Sequence, residues 1–242
     1  MALPDGVELV VFDMAGTTVD DLVDGEPLVI AAFRAALKAH DGTETSFDQA
    51  NAVRGYEKKD ALRRLLASVR GESASTTDSE IDTLFDIFKK ELDKLTSRMN
   101  CEIKGTSEIF AELRRRGVKI CVGSGFPEHV VKTIVENLGW SVDAAFSSVT
   151  LGKGRPDPIM ITTAMEKFGV TDPKRVVKIG DTQVDIEEGR NAGVFCVSVL
   201  TGTQSREKLE AAKPDCIIQS VADLLDKRTD TEVKPSDRSE VG

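Results

Sequence analysis

Short, continuous apolar runs recur along the chain, and several of them end abruptly in Asp, Ser or Gly. Because their apolar residues do not alternate with polar ones, these runs are typical of parallel strands that are buried on both faces of a sheet. The pattern predicts six strands, near 8–13, 118–124, 145–149, 175–181, 194–200 and 216–219.

Helical patterns separate these runs from about residue 101 onward. The segment 107–117 repeats apolar residues at helical spacing and ends at Gly117, a residue type that often stops a helix. The segment 157–169 begins with Asp157 as its predicted N-cap and Pro158 in the first helical position. The alternation of strands and helices predicts an α/β fold whose core is a doubly wound, Rossmann-like parallel sheet.

Residues 20–100 do not follow this alternation. They contain three amphipathic helical patterns, at 27–40, 58–70 and 80–99, with a polar joint at 70–80. We therefore expect an all-helical cap domain, inserted after the first strand of the core and joined to it by two hinges. The end of the chain carries almost no apolar side chains, which is typical of a disordered tail. The predicted boundaries are 1–19 and 101–226 for the core, 20–100 for the cap and 227–242 for the tail.

Composition and charge exclude several classes of function. The 242-residue chain is 40% hydrophobic and 30% charged, as expected for a soluble globular protein, and its net charge is −9. An acidic chain lacks the basic footprint of a nucleic-acid-binding protein, and no apolar run approaches the roughly 18 residues of a membrane span. The N-terminus lacks a basic start before a long apolar stretch, so we expect no signal peptide and a cytoplasmic protein.

The cysteines and histidines argue against a disulfide framework and against a zinc centre. The four cysteines, Cys101, Cys121, Cys196 and Cys216, are widely spaced and form no CxxC pair, so we expect them to be reduced. The chain has only two histidines, which makes a zinc cluster an unsuitable explanation for its chemistry.

Polar side chains follow four of the predicted strands. In open α/β sheets, ligands bind in a crevice beyond the carboxyl ends of the strands. Asp13, Ser124, the loop 152–158 and Asp181 with Asp185 occupy such positions. Any one of them could simply cap the helix that follows its strand. Four such positions in this order are hard to assign to capping, and they predict a shared functional crevice.

The motifs around these positions resemble those of a known superfamily. VVFDMAGTTVD, VGSGF, GKGRPDP and GDTQVD resemble, in this order, the four motifs of the haloacid dehalogenase-like hydrolases, and the helical insert lies where that superfamily has its cap. DMAGTTVD, GRPDP and GDTQVDIEEGRNAG are similar to the phosphonoacetaldehyde hydrolase, or phosphonatase, branch. The resemblance implies an Mg²⁺-dependent hydrolase of a small phosphonate or phosphate, which forms a homodimer through its cap.

The resemblance also implies how the carboxylates act. Asp13 attacks phosphorus and forms an aspartyl-phosphate, which a carboxylate can do because it is already ionised at neutral pH. Asp13, the main-chain carbonyl of Ala15 and Asp181 would hold Mg²⁺, a cation that prefers oxygen ligands. Asp185 is either a further ligand or an acceptor behind the ligands. The alternative for Asp185 is an ordinary first-turn residue, favoured by the helix dipole.

A second group of residues is assigned to the phosphoryl oxygens. The resemblance implies that the Ser124 hydroxyl, the Gly125 amide and the Arg155 guanidinium bind these oxygens. Most of the superfamily has a Lys in the third motif, whereas Arg155 offers a fixed fork of donors that stays charged. The alternative for Arg155 is an ordinary surface-loop residue, and the flanking Pro156 and Pro158 weigh against it.

Ala15 and Lys58 together indicate the type of reaction. Phosphatases of the superfamily carry a second Asp where this chain has Ala15, and that Asp protonates the leaving oxygen. In the phosphonatase branch, a cap lysine instead condenses with the substrate aldehyde, and the resulting iminium accepts the electrons of the breaking C–P bond. Gly55-Tyr56-Glu57-Lys58 matches the Gly-x-x-Lys of that branch, so the resemblance implies that Lys58 forms the Schiff base.

The proposed role of Lys58 has a physical requirement. To act as a nucleophile, its amine needs a lowered pKa, from burial or from nearby positive charge. Arg54, Lys59 and Arg63 are the cations that the sequence places near it. The alternative is that Lys58 is one of many cations on a solvated helix face.

Four positions depart from the phosphonatase pattern. This chain has Val23 where the branch has a Cys, Arg54 where it has a Met, Ala61 where it has a His, and Phe126 where it has a Tyr. The Met and His lie around the substrate in the branch, so these departures allow a related phosphonate as the substrate.

The sequence therefore leaves three functions open for this chain. The first is an Mg²⁺-dependent C–P hydrolase that acts on phosphonoacetaldehyde or a close relative of it. The second is a phosphate-monoester phosphatase that finds its general acid elsewhere, at Glu57 or a bound water. The third is a phosphate-sensing protein without catalysis, and the intact Asp13, Ser124, Arg155 and Asp181 speak against it.

Overall fold

The computed structural model describes residues 3–71, 76–97 and 99–225, and the predicted tail lies outside these described residues. In chain order, the strands are β1 (Leu9–Asp13), β2 (Leu22–Val23), β3 (Glu26–Pro27), β4 (Lys119–Ser124), β5 (Ala144–Ser147), β6 (Val176–Gly180), β7 (Phe195–Val199) and β8 (Cys216–Ile218). The α-helices are α1 (Leu28–Asp41), α2 (Phe47–Ala52), α3 (Lys58–Arg70), α4 (Asp78–Thr96), α5 (Thr106–Arg115), α6 (Glu128–Asn137), α7 (Ser148–Leu151), α8 (Ile159–Phe168), α9 (Gln183–Ala192) and α10 (Arg206–Ala212).

Six strands form one sheet in the order β5-β4-β1-β6-β7-β8. Every neighbouring pair in this sheet is parallel, which confirms the predicted fold class and all six predicted strands. The chain leaves β1 for β4 and β5 on one side and then returns to β6, β7 and β8 on the other. The order therefore reverses at β1, and such a reversal is where open α/β sheets bind their ligands.

Alternate residues of β1 pack into two different hydrophobic clusters. Val10 and Phe12 belong to the cluster that includes α5, α6 and the helices of residues 28–96. Leu9 and Val11 belong to a cluster on the other face, which includes residues of α8. All four side chains are buried. Because both faces are covered, the run of apolar residues in β1 is continuous rather than alternating.

Residues 20–100 contribute helices α1 to α4 and a short ribbon. The rings of Phe33 on α1 and Phe88 on α4 stack with their centroids 4.8 Å apart, which ties the two longest of these helices together. The ribbon is the antiparallel pair β2-β3, which is separate from the central sheet. It was not predicted, since this segment was expected to contain helices alone. Its turn is Asp24-Gly25, where both residues have positive φ, as a tight hairpin requires.

The two linkers between the cap and the core lie side by side. The Asp20 amide donates to the Cys101 carbonyl at 3.0 Å, and the Ile103 amide donates to the Thr18 carbonyl at 2.9 Å. Both linkers thus leave the core just beyond β1, next to the loop that carries Asp13 and Ala15.

Two further features of the fold concern the cysteines and the helices. All four cysteines lie in the described part of the chain and are free thiols, with Cys121 and Cys196 buried. Among the described residues, no helix combines the length and apolar character that crossing a membrane requires.

Candidate active site

Three adjacent strands bring the predicted site residues to one edge of the sheet. Asp13 is the last residue of β1, Ser124 is the last residue of β4, and Asp181 directly follows β6. The register pairs Asp13 with Gly123, so the carboxyl ends of β1 and β4 lie level. Parallel pairing of β1 with β6 adds the third end, and the separated motifs therefore meet in space.

Asp13, Asp181 and Asp185 form a buried cluster of carboxylates. One carboxylate oxygen from each lies within 4.8 Å of the others. Asp181 Oδ1 accepts a hydrogen bond from Thr17 Oγ1 at 3.1 Å, whereas its buried Oδ2 receives none from the described residues. A buried acceptor among three carboxylates fits a hard divalent cation such as Mg²⁺. Ala15 lines one cavity together with Asp13 and Asp181.

Burial and like charge act strongly on Asp181. Burial raises the pKa of Asp181 well above its usual range, and the charges of Asp13 and Asp185 raise it further, although Arg54 opposes them. A cation at this position would therefore relieve an unfavourable concentration of negative charge.

Asp185 makes contacts on both of its oxygens. Its Oδ2 accepts a hydrogen bond from the Thr182 amide at 3.1 Å. Asp185 thus helps to cap α9, as expected of an ordinary residue in the first turn of a helix. Its Oδ1 also pairs with Arg155 and lies 3.1 Å from the Lys178 ammonium. Burial would raise the pKa of Asp185, but Arg155 and Lys178 outweigh it and hold that pKa below its usual range. These contacts fit an acceptor that orients Arg155 better than a carboxylate free to bind metal.

Arg155 is part of this cluster rather than a surface-loop residue. Only 5% of it is exposed, and its Nη2 lies 2.8 Å from Asp13 Oδ1. The helix after its loop begins slightly later than predicted, because Pro158 is the N-cap of α8 and Asp157 instead accepts from the Ile159 amide. The guanidinium thus bridges the carboxylates of Asp13 and Asp185 across the edge of the sheet.

Ser124 and Gly125 lie at the end of β4, close to Lys58 of the cap. Ser124 is buried, and its Oγ accepts a hydrogen bond from the Phe126 amide at 3.2 Å. A Cβ on Gly125 would lie only 2.9 Å from the Lys58 ammonium nitrogen. The glycine therefore lets the lysine of the cap come close to the backbone at the end of β4.

The cap loop before α3 packs closely against the core. Gly55 has a φ of +95°, and a Cβ there would clash with a methyl of Val184. Glu57 then begins α3, because its carboxylate accepts hydrogen bonds from the amides of Lys59 and Asp60. Lys58 is consequently the first residue of a well-capped helix that points its N-terminus at the site.

Lys58 is buried, and its surroundings lower the pKa of its amine. It is only 5% exposed, and its ammonium nitrogen lies 5.5 Å from the centroid of the Phe126 ring. Burial lowers the pKa of Lys58 to about 8, and the positive charge of Arg155 adds to this effect. The interpretation of Lys58 as a solvated surface cation is therefore wrong for this structure.

The neighbouring cations do not all act on Lys58 as the sequence suggested. Lys59 pairs with Asp82 at 2.7 Å and Arg63 pairs with Asp78 at 2.9 Å, both at the exposed surface. Only Arg54 among the three expected cations is buried and lowers the Lys58 pKa. The expectation was wrong for Lys59 and Arg63.

Two buried ion pairs were not found from the sequence. Arg54 donates from Nη2 to both oxygens of Asp21, at 3.0 and 3.2 Å, and lies 4.0 Å from Asp181. Behind Asp185, the buried Lys178 and Glu188 form a second pair. Lys178 offered a signal, since it is the one charged residue in the apolar run VVKIG.

These residues enclose one small cavity between cap and core. Its volume is about 20 Å³, which holds a water molecule but not a substrate. The cavity is lined by Asp13, Ala15, Val29, Arg54, Gly55, Lys58, Ser124, Phe126, Arg155, Asp181 and Thr182.

Comparison with known proteins agrees with this arrangement. A family model described as haloacid dehalogenase-like hydrolase matches residues 7–193, a range that contains every residue of the cavity. The chain belongs to the haloacid dehalogenase-like hydrolase family and is a hydrolase.

Its relatives include members of the phosphonatase branch, as the motifs predicted. The phosphonoacetaldehyde hydrolase of Paraburkholderia xenovorans is 27% identical over an alignment of 261 positions, which covers 94% of this chain and 96% of that protein. The structure of a phosphonoacetaldehyde hydrolase-like protein from Oleispira antarctica has a TM-score of 0.79 and 24% identity, covering 93% of this chain and 92% of its own. That of a predicted phosphoglycolate phosphatase from Haemophilus somnus has a TM-score of 0.75 and 22% identity, covering 91% and 97%. The two structures share the fold with this chain.

Proposed function

We propose that this protein is an Mg²⁺-dependent hydrolase that cleaves the C–P bond of phosphonoacetaldehyde or a closely related phosphonate. The observation that carries the proposal is that Lys58 and Asp13 line one cavity together with Ala15. The site therefore combines the Lys58 amine, whose pKa is lowered, with the Asp13 carboxylate as nucleophile. It has Ala15 at the position where a phosphatase carries the general acid for an oxygen leaving group. The curated phosphonoacetaldehyde hydrolases that span nearly the whole chain support the same substrate class.

The core residues account for the phosphorus side of the reaction. Asp13 uses a carboxylate oxygen to attack phosphorus, and a new O–P bond forms as the C–P bond breaks. Arg155 is already oriented toward Asp13 and donates to the phosphoryl oxygens, together with Ser124 and the amide of Gly125. Mg²⁺ held by Asp13, Asp181 and the Ala15 carbonyl would offset the negative charge that otherwise repels the nucleophile.

The cap lysine accounts for the carbon side. The neutral amine of Lys58 adds to the aldehyde carbon, and the adduct takes up a proton and loses water. The product is a protonated imine whose carbon is bonded to the carbon that carries phosphorus. When the C–P bond breaks, its electron pair moves into a C=C bond and the iminium becomes a neutral enamine. The departing group therefore never has to exist as a free carbanion, which explains why no second Asp is required at Ala15.

Two hydrolytic steps return the residues to their starting state. The enamine takes a proton on carbon, and water then releases the aldehyde, the free amine of Lys58 and the proton taken up when the imine formed. A second water hydrolyses the aspartyl-phosphate on Asp13 and releases inorganic phosphate. Imine formation and hydrolysis cancel, so the net reaction of phosphonoacetaldehyde consumes one water and gives acetaldehyde and phosphate.

The contacts of Glu57 count against the phosphatase alternative. That function would need a general acid other than residue 15, and Glu57 was the candidate from the sequence. Its carboxylate instead accepts hydrogen bonds from the amides of Lys59 and Asp60, where it stabilises the start of α3. A carboxylate that already accepts two amide hydrogen bonds as a helix cap is not free to reach the leaving oxygen of a phosphate ester.

An activity panel tests the proposal directly. Purified protein with Mg²⁺ is given phosphonoacetaldehyde, a homologous phosphonate aldehyde and common phosphate monoesters, and phosphate release is measured. We expect kcat/KM for a phosphonate aldehyde to exceed that for every monoester by at least about 100-fold, since the acid missing at Ala15 is typically worth this much. A monoester as the best substrate would contradict the proposal. The Ala15→Asp variant serves as the matched comparison, and its monoester activity should rise.

A further inference from the structure

A second layer of buried charge lies behind the proposed phosphate-binding arginine. Lys178 projects from β6 and lies 2.9 Å from Glu188 and 3.1 Å from Asp185. Asp185 and Glu188 are three residues apart on α9, so they share one face of that helix. Both Lys178 and Glu188 have 1% or less of their surface exposed, which makes them inaccessible to substrate and solvent.

The pair continues a row of alternating charge that ends at the nucleophile. Glu188 contacts Lys178, Lys178 contacts Asp185, Asp185 contacts Arg155, and Arg155 contacts Asp13. Each of the five residues is at least nine-tenths buried. The row joins the core of the sheet to the place where the phosphoryl group would bind.

Stability alone does not explain a buried lysine–glutamate pair. Removing two charges from water is costly, and well-packed apolar residues of similar volume often serve a protein core as well or better. What the ammonium of Lys178 adds here is a second positive contact on the same Asp185 oxygen that pairs with Arg155. Thr182 meanwhile holds the other oxygen through its amide at 3.1 Å. The Asp185 carboxylate is thus fixed on both sides.

We propose that Lys178 and Glu188 are positioning residues, which orient the Asp185 carboxylate and, through it, the guanidinium of Arg155 toward the phosphoryl group. Lys178 sets the position of Asp185, and Glu188 supplies the charge that balances Lys178. One end of the Arg155 fork then stays on Asp185 while the other remains available at Asp13. The inference rests on the proposed role of Arg155 in binding phosphate.

The double variant Lys178→Met/Glu188→Leu tests the inference. It removes both charges together and replaces them with apolar side chains of similar volume, so no unpaired buried charge is left. The melting temperature is measured along with the affinity for inorganic phosphate in the presence of Mg²⁺, by calorimetry. We expect the fold to persist and the phosphate affinity to fall by about 10- to 100-fold, the usual effect of losing residues that orient a ligand-binding group.

A matched control separates positioning from packing. Cys196 on β7 is paired in register with Lys178 and is buried in the same layer. Cys196→Ala should lower the melting temperature and leave the phosphate affinity within about twofold of the wild type. The double variant with phosphate affinity also within twofold would overturn the inference. If that variant fails to fold, Glu188→Gln, which keeps the shape of the side chain, is judged by the same criterion.

One further variant distinguishes failure of this inference from failure of the proposed function. Arg155→Met removes the guanidinium itself and should abolish detectable binding of inorganic phosphate. If Arg155→Met binds phosphate like the wild type, the assignment of Arg155 is wrong. If Arg155→Met fails to bind but the double variant binds normally, Arg155 keeps its role and the positioning role of Lys178 and Glu188 is wrong.

Discussion

Arg155 Nη2 lies 2.8 Å from Asp13 Oδ1, so the proposed phosphate-binding cation and the proposed nucleophile are in direct contact. Both side chains are almost fully buried, so water screens their attraction less than it screens a surface ion pair. The contact orients the Asp13 carboxylate and holds the guanidinium where phosphoryl oxygens would arrive. A phosphoryl group must share Arg155 with Asp13, so binding and attack depend on the same pair of residues.

The Asp13→Asn variant should separate binding from turnover. The amide cannot attack phosphorus, and we expect turnover to fall by at least about 10⁴-fold. Its neutral side chain no longer competes for Arg155 or repels an anion, so the affinity for inorganic phosphate should stay the same or increase. Steady-state kinetics and calorimetry measure the two quantities. Asp82→Asn, at the exposed surface, is the control and should leave both unchanged. Turnover by Asp13→Asn within tenfold of the wild type would rule out Asp13 as the nucleophile.

The Asp181→Asn variant tests the proposed magnesium site. Asp181 has a raised pKa in the folded chain, and a carboxyl of this kind weakens folding as the pH rises from its unfolded to its folded pKa. At neutral pH, Asp181→Asn should therefore keep or raise the melting temperature of the metal-free protein. The same variant should bind Mg²⁺ at least about tenfold more weakly, as calorimetry would show. EDTA should likewise remove the activity of the wild type, and added Mg²⁺ should restore it. Unchanged Mg²⁺ affinity in Asp181→Asn would place the metal elsewhere.

The pH dependence of imine formation should reflect the pKa of Lys58. Burial lowers that pKa from an ordinary value of 10.5 to about 8, with Arg155 contributing in the same direction. Only the neutral amine attacks a carbonyl, so the rate should rise about tenfold per pH unit below pH 8 and level off above it. Single-turnover kinetics between pH 6 and 10 measure this profile. A rate that keeps rising to pH 10 would show that Lys58 has the pKa of an exposed lysine.

The sheet and the polar strand ends were predictable because each leaves a local pattern. Continuous apolar runs followed by Asp or Ser predict buried parallel strands and the residues at their ends. Asp13, Ser124 and Asp181 were placed this way, and the structure brings them to one edge of the sheet. Parallel pairing is enough to bring such residues together, whatever their separation along the chain.

The partners in the buried ion pairs were not predictable, because each pair joins two residues that the sequence does not connect. Arg54 lies on the cap loop and Asp21 on the linker, and in the sequence each is an ordinary charged residue. Only the folded structure brings the two into contact. The expectation that Lys59 and Arg63 lie close to the Lys58 amine was also wrong. Successive residues of a helix are rotated by about 100°, so Lys59 and Arg63 project away from the face that buries Lys58.

The central claim is that Lys58 forms a covalent imine with the substrate. Borohydride reduces such an imine to a stable secondary amine, which peptide mass spectrometry can assign to a residue. Lys58→Arg keeps the positive charge but cannot form the imine, and Lys59→Arg changes the adjacent lysine, which lies at the exposed surface. These two variants differ by one position and test the role of the buried amine.

The decisive measurement is borohydride trapping in the presence of a phosphonate aldehyde, with C–P cleavage measured in parallel for both variants. We predict a reduced adduct on Lys58 in the wild type and in Lys59→Arg, which should retain near-normal activity. Lys58→Arg should give no adduct and lose C–P cleavage by at least about 10³-fold, as expected for removal of a covalent catalyst. Near-wild-type activity of Lys58→Arg on its best substrate, or an adduct that forms on Lys59 instead, would contradict the Schiff-base mechanism.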